Sequence, residues 1–174
     1  MENTIWSPVY VALGGNLDHP TWGGPRATLE AALAELGRRG VTVRRLSRWY
    51  RTAPVPVSDQ PWFVNAVAEV ETGLDPDALL AVLHAVEAGF GRVRTVANAA
   101  RLIDLDLLDY RGVTAPGGPG KATLPHPRMA ERAFVLRPLA DLAPGWRHPV
   151  TGQPIAALVA ALPPGQGIEV MEGA

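Results

Sequence analysis

The chain has 174 residues, 47% of them hydrophobic and 19% charged, with a formal net charge of −1. That length suits one domain able to bury roughly 70% of its unfolded surface, and so small a charge supplies no field to recruit nucleic acid or anionic lipid. Cysteine is absent, which excludes disulfide staples, thiolate nucleophiles and zinc–thiolate centres.

Residues 1–6 lack the basic and apolar regions of a signal peptide, and no apolar run reaches the ~20 residues that span a bilayer. A cytoplasmic protein with no membrane partner is therefore expected. Val9 to Leu13 is an apolar run that reads as a buried strand, with Gly14-Gly15-Asn16 as the turn that ends it. Pro25 opens a helix in which Leu29, Ala32, Leu33 and Leu36 recur at helical spacing, with Gly37 as its stop.

Val41 to Tyr50 is rich in β-branched and aromatic residues and reads as a second strand. Thr52 to Pro61 contains Pro54, Pro56 and Pro61, which exclude a helix or a central strand. Phe63 to Glu71 is a third strand with Val64, Ala66, Ala68 and Val70 on one face. Asp75-Pro76-Asp77 combines an N-cap, a helix-opening proline and a first-turn acid; the helix it starts runs through Leu79, Leu80, Leu83 and Val86 to Gly89.

Leu102 to Asp109 is the fourth strand. The order β-α-β-β-α-β implies an α+β fold of ferredoxin-like type, an antiparallel sheet with helices packed on it. A Gly/Pro-rich loop from Arg111 to Lys121, a short helix over Ile155 to Ala161 and a weakly patterned tail complete it as C-terminal additions. No internal boundary divides residues 1–174, which read as a single domain.

Asp104 and Asp106 lie two apart in a strand, so both side chains leave one face while Ile103, Leu105 and Leu107 leave the other. Paired carboxylates suit magnesium, which takes one or two from protein and the rest from water and phosphate. Alone, such a pair reads more often as a solvated strand face. Arg92, Arg94 and Arg101 precede it in a basic segment of little periodicity, which suits a phosphate clamp or, equally, an exposed loop.

Gly117 to Ala122 lacks the first glycine and the Ser/Thr of a Walker A loop, and Gly14-Gly15-Asn16 does not continue into G-x-G-x-x-G. Phosphate binding must then rest on side chains and metal. The four histidines are scattered, which argues against zinc; His126, between Pro125 and Pro127, stands on a fixed backbone.

Together these segments resemble the 6-hydroxymethyl-7,8-dihydropterin pyrophosphokinase family. The matching stretches are Ala12 to Leu17; Ser47 to Asn65; Gly91 to Arg94; Arg101 to Asp106; Leu124 to Pro127; and Arg132 to Leu139, in the family's order. The resemblance implies transfer of diphosphate from ATP to the hydroxymethyl oxygen of 6-hydroxymethyl-7,8-dihydropterin in folate biosynthesis, with AMP leaving. It implies two Mg2+ ions held by Asp104 and Asp106, and catalysis by these with Arg92 and Arg101.

By the same resemblance, ATP meets Glu87, Arg92, Arg94, Arg101, Leu107, Lys121, Thr123, His126 and Arg132. The pterin meets Gly14, Thr52, Ala53, Pro54, Val55, Phe63, Asn65 and Phe134. A monomer is expected. Gly15, Ala53, Ala99-Ala100 and Lys121 depart from the commonest family residues, and Asn98 stands where some members carry a tryptophan. The competing reading is a non-catalytic ferredoxin-like module binding RNA or a regulatory small molecule, but Phe63 to Ala68 lacks the basic start and second aromatic of an RNA-binding strand.

Overall fold

A computed structural model describes residues 7–91 and 100–172. Strand β1 (Val9–Gly15) is fully buried and sits between β4 (Phe63–Thr72) and β5 (Asp104–Tyr110), antiparallel to both. Both β2 (Val41–Leu46) and β3 (Tyr50–Thr52) pair with β4, and β8 (Ile168–Val170) extends the sheet beyond β3. The sheet is antiparallel and the fold α+β, as the element order implies.

Helices α1 (Pro25–Arg38) and α2 (Pro76–Gly89) cover one face. Their Leu29, Ala32, Leu36, Leu79 and Leu83 pack against Val11, Leu13, Ala66, Ala68, Val70 and Leu105. Asp75 caps α2, its carboxylate accepting the Ala78 N–H at 2.8 Å. The opposite face carries α3 (Ala133–Leu142) and α4 (Ile155–Ala160), packed on Tyr10, Ala12, Val67 and Leu108 through Val135, Leu136, Leu139 and Ile155. Burial of two separate apolar faces makes this a three-layer arrangement.

Several boundaries differ from the sequence reading. Gly14 and Gly15 do not turn: they continue β1, paired with Asn65 and Val64 on β4, and neighbouring groups leave no room for a side chain. A Cβ on Gly14 would lie 2.7 Å from Asn65 Oδ1, and one on Gly15 would lie 2.6 Å from the Leu102 carbonyl oxygen. The expected strand over 41–50 divides into β2 and β3 around Ser47, whose hydroxyl accepts the Val67 N–H at 2.9 Å. Gly37 stays inside α1, and the left-handed conformation falls on Gly40 (φ 84°).

The expected loop over 111–121 contains β6 (Ala115–Gly118), which forms a hairpin with β7 (Lys121–Leu124). Helix α3 was not anticipated because it contains Pro138, which removes the N–H that would bond the Phe134 carbonyl. Its open N-terminus is satisfied from a distance: Gln166 Oε1 accepts the Ala133 N–H at 2.9 Å.

Candidate active site

The face beneath α3 is apolar along Tyr10, Ala12, Val67 and Leu108, and becomes polar at one end of the sheet. There Gly14 stands opposite Asn65 on one neighbouring strand and Asp104 on the other. The three form one rung, open where α3 stops.

A cavity of about 140 Å³ opens at this rung, close to the ~150 Å³ that admits a benzene ring. Gly14, Thr52, Ala53, Val55, Phe63, Asn65 and Phe134 line it together with Arg101, Asp104 and Arg132. Of the residues read for the pterin, only Pro54 is buried away from the lining. Asn65 is 5% exposed and donates from Nδ2 to Thr52 Oγ1 at 2.5 Å, which fixes its amide so that Oδ1 sits over Gly14. Phe63 and Phe134 are half-buried, as suits rings that share their faces with a ligand.

Asp104 and Asp106 project from β5 on this side with 22% and 31% of their side chains exposed. Arg101 Nη1 meets Asp104 Oδ2 at 3.2 Å, and His126 Nε2 lies 3.9 Å from Asp106 Oδ2. No cluster of three metal-ligating side chains exists among the described residues. Two half-exposed carboxylates fit a magnesium ion that completes its octahedron with water and phosphate oxygens.

His126 follows the cis Leu124–Pro125 peptide. Its Nδ1 accepts the Arg128 N–H at 3.2 Å, which leaves the proton on Nε2. Burial, reinforced by the Arg132 guanidinium, pushes its pKa down to about 4, with Asp104 opposing. It is thus an uncharged donor at neutral pH. Arg132 is also held below its ordinary range, by burial first and then by Arg128; its guanidinium carbon lies 5.3 Å from the Phe134 ring centre.

The start of the dicarboxylate segment is pinned by Asn16, which is 4% exposed and which the sequence reading did not single out. Its Oδ1 accepts the Arg101 N–H at 2.9 Å, its own N–H donates to Arg101 O at 3.0 Å, and its Nδ2 donates to Gln60 Oε1 and Pro61 O at 2.9 Å each. One asparagine thereby ties the end of β1, the proline-rich loop and the segment leading into β5 together.

Other expected residues lie elsewhere. Glu87 is buried on α2, its Oε2 accepting the Leu105 N–H at 3.0 Å, and Leu107 packs in the core beneath α1 and α2. Lys121 and Thr123 are exposed on β7 outside the cavity lining. Arg92, Arg94 and Asn98 fall outside the described residues. Arg128 and Glu131 line the cavity and were not foreseen; the fixed turn at Pro125-His126-Pro127 was their only signal.

Residues 10–144 match the family of 7,8-dihydro-6-hydroxymethylpterin-pyrophosphokinase. A 2-amino-4-hydroxy-6-hydroxymethyldihydropteridine pyrophosphokinase of Pseudomonas aeruginosa is 43% identical over 95% of this chain and 98% of its own length. The folic acid synthesis protein fol1 of Pneumocystis carinii is 38% identical over 90% of this chain, which spans only 20% of that protein. The crystal structure of Plasmodium falciparum HPPK-DHPS with pteroate is similar in fold, with a TM-score of 0.68 at 14% identity, over 88% of this chain and 44% of that one.

Proposed function

The chain belongs to the 7,8-dihydro-6-hydroxymethylpterin-pyrophosphokinase family, and from that membership we propose that it transfers diphosphate from ATP to 6-hydroxymethyl-7,8-dihydropterin. The observation that carries this reading is the continuity of two unlike subsites. An aromatic and amide pocket (Phe63, Asn65, Phe134) shares one cavity with a carboxylate and guanidinium cluster (Asp104, Arg101, Arg132). A flat heterocycle and a polyphosphate can therefore meet inside it.

In this reading the pterin stacks between Phe63 and Phe134 while Asn65, Thr52, Ala53, Pro54 and Val55 complete its pocket above Gly14. The Asn65 amide offers a donor and an acceptor matched to the pyrimidine edge, so rings lacking those groups are rejected. The hydroxymethyl oxygen attacks the β-phosphorus and gives up its proton to solvent; the bond from that phosphorus to the α,β-bridging oxygen breaks, and AMP leaves with the electron pair. Asp104 and Asp106 would hold two Mg2+ ions, which when bound neutralise triphosphate charge and orient the in-line displacement.

Arg92, Arg101 and Arg132 compensate the charge that shifts onto the leaving oxygens. His126 donates from Nε2 without adding charge to the metal-binding face. Arg94, Lys121 and Thr123 serve the nucleotide further out, with its adenosine end toward the segments that carry the buried Glu87 and Leu107. Residues 1–174 work as one domain, as a monomer in the cytoplasm; no described helix is long and apolar enough to cross a membrane.

The test is product analysis by mass spectrometry with Mg2+, ATP and the pterin alcohol. AMP and the pterin diphosphate are expected in equal amounts. ADP as co-product, or no turnover, overturns the reading.

A further inference from the structure

Every arginine between residues 26 and 51 is tied to a carboxylate. Arg128 is different. It is exposed on the cavity rim, and among the described residues its guanidinium forms no hydrogen bond or ion pair, not even with Glu131 beside it. Its backbone is held on both sides, the N–H donating to His126 Nδ1 at 3.2 Å and the carbonyl accepting the Glu131 N–H at 3.2 Å. Met129, fully buried, anchors the next position.

A fixed backbone thus presents a free cation to a cavity that already contains Arg101 and Arg132. Three guanidinium side chains, Arg101, Arg128 and Arg132, line this cavity against two carboxylates, Asp104 and Glu131. Accumulated positive charge of this kind is relieved by a polyanion, and guanidinium geometry favours phosphate oxygens. Position selects which phosphates. Arg128 shares the cavity with Phe63 and Asn65, whereas Glu87 and Leu107, read for the adenosine, lie buried on the other side of the sheet.

We propose that Arg128 is a further phosphate-binding residue, gripping the β,γ-diphosphate that is transferred rather than the AMP portion that leaves. The proposal rests on the pyrophosphokinase reading. It makes Arg128 a ligand of the group that changes hands, before transfer on the nucleotide and after transfer on the pterin.

The experiment compares wild type, Arg128→Ala and Arg128→Lys by titration with Mg–α,β-methylene-ATP, with AMP and with inorganic pyrophosphate plus Mg2+, alongside AMP formation in turnover. Arg128→Ala should weaken the ATP analogue and pyrophosphate about tenfold or more, the scale of one charge-assisted bidentate contact, and leave AMP affinity within twofold. Arg128→Lys should recover part of the loss, since it restores charge without the fork. Unchanged affinity for the ATP analogue, or an equal loss for AMP, overturns the proposal. A wild-type protein that forms no AMP from ATP and the pterin overturns the parent reading instead; analogue binding by the variants still decides the role of Arg128.

Discussion

Replacing Gly14 by alanine separates pterin recognition from folding. The added Cβ would stand 2.7 Å from Asn65 Oδ1, while 3.4 Å is the near limit of ordinary contact. The amide must therefore retreat by about 0.7 Å. It cannot simply swing aside, because Nδ2 is bonded to Thr52 Oγ1 and the residue is 5% exposed. Either that bond breaks, or the whole β4 rung shifts. Leaving one buried polar group poorly paired costs about 1–3 kcal/mol, and a comparable amount of binding free energy is lost when the Asn65 edge no longer meets the ligand. Pterin affinity should fall roughly 10- to 100-fold, measured by calorimetric titration of enzyme saturated with Mg–α,β-methylene-ATP. Nucleotide affinity, measured without pterin, should change less than threefold. A stable Gly14→Ala protein that binds pterin as wild type does would remove Asn65 from the pocket and refute the reasoning.

Other substitutions test separate parts of the molecule. Asp104→Asn and Asp106→Asn should each lower turnover roughly a hundredfold or more while urea midpoints stay near wild type, since both side chains are half-exposed; an unchanged rate in either variant would remove that carboxylate from the metal site. Glu69 is buried, and its bonds to Arg45 at 2.8 and 2.9 Å hold its carboxyl below the usual carboxylate range. Its contribution is present above the unfolded value near 4.5 and is lost as pH falls through the lower folded value. Glu69→Gln should therefore lose about 1–2 kcal/mol at pH 7 and show a flatter decline of stability below pH 4.5, read by urea melts across pH; a parallel decline would reject the assignment. Asp141 accepts from Arg48 at 2.9 and 3.1 Å and from the Tyr50 hydroxyl at 2.7 Å, which fastens α3 to the β3 region. Because Arg48 is largely in solvent, Asp141→Asn should cost only about 1 kcal/mol, again by urea melt, and a loss above 3 kcal/mol would mean that the contact does more than this.

The parts of the fold governed by local chemistry are legible in the chain. Val64, Ala66, Ala68 and Val70 alternate because one face of β4 meets two helices, and Asp75-Pro76-Asp77 states where α2 begins. Residues whose partners are distant are harder to read. Asn65 interrupts an apolar strand without local reason; its reason is Gly14, fifty-one residues earlier. Gly14-Gly15 carries a turn composition, yet the pair is extended because it pairs with Asn65 and Val64 on β4, and it is glycine because Asn65 and Leu102 leave no room for a side chain. Pro138 hides α3, and with it the layer that closes one wall of the cavity.

The site is legible to a similar depth. Asp104 and Asp106 declare a shared face through strand spacing, and Phe63 and Phe134 gain meaning only with the family resemblance. Asn16 and Arg128 carry no pattern of their own. One binds backbone groups of remote segments, and the other extends a guanidinium that, among the described residues, has no hydrogen bond or ion pair.

The rung Asn65–Gly14–Asp104 also works as a ruler. Adjacent strands lie about 4.8 Å apart, so the backbones that carry the amide and the carboxylate stand about 10 Å apart, two strand spacings. That interval is set by backbone hydrogen bonds and not by any side chain. Substitutions can accumulate across the sheet without altering that gap, provided that β4 and β5 keep their register on β1. A single-residue insertion in β4 or in β5 would do what many substitutions do not: it would move one half of the site out of step with the other.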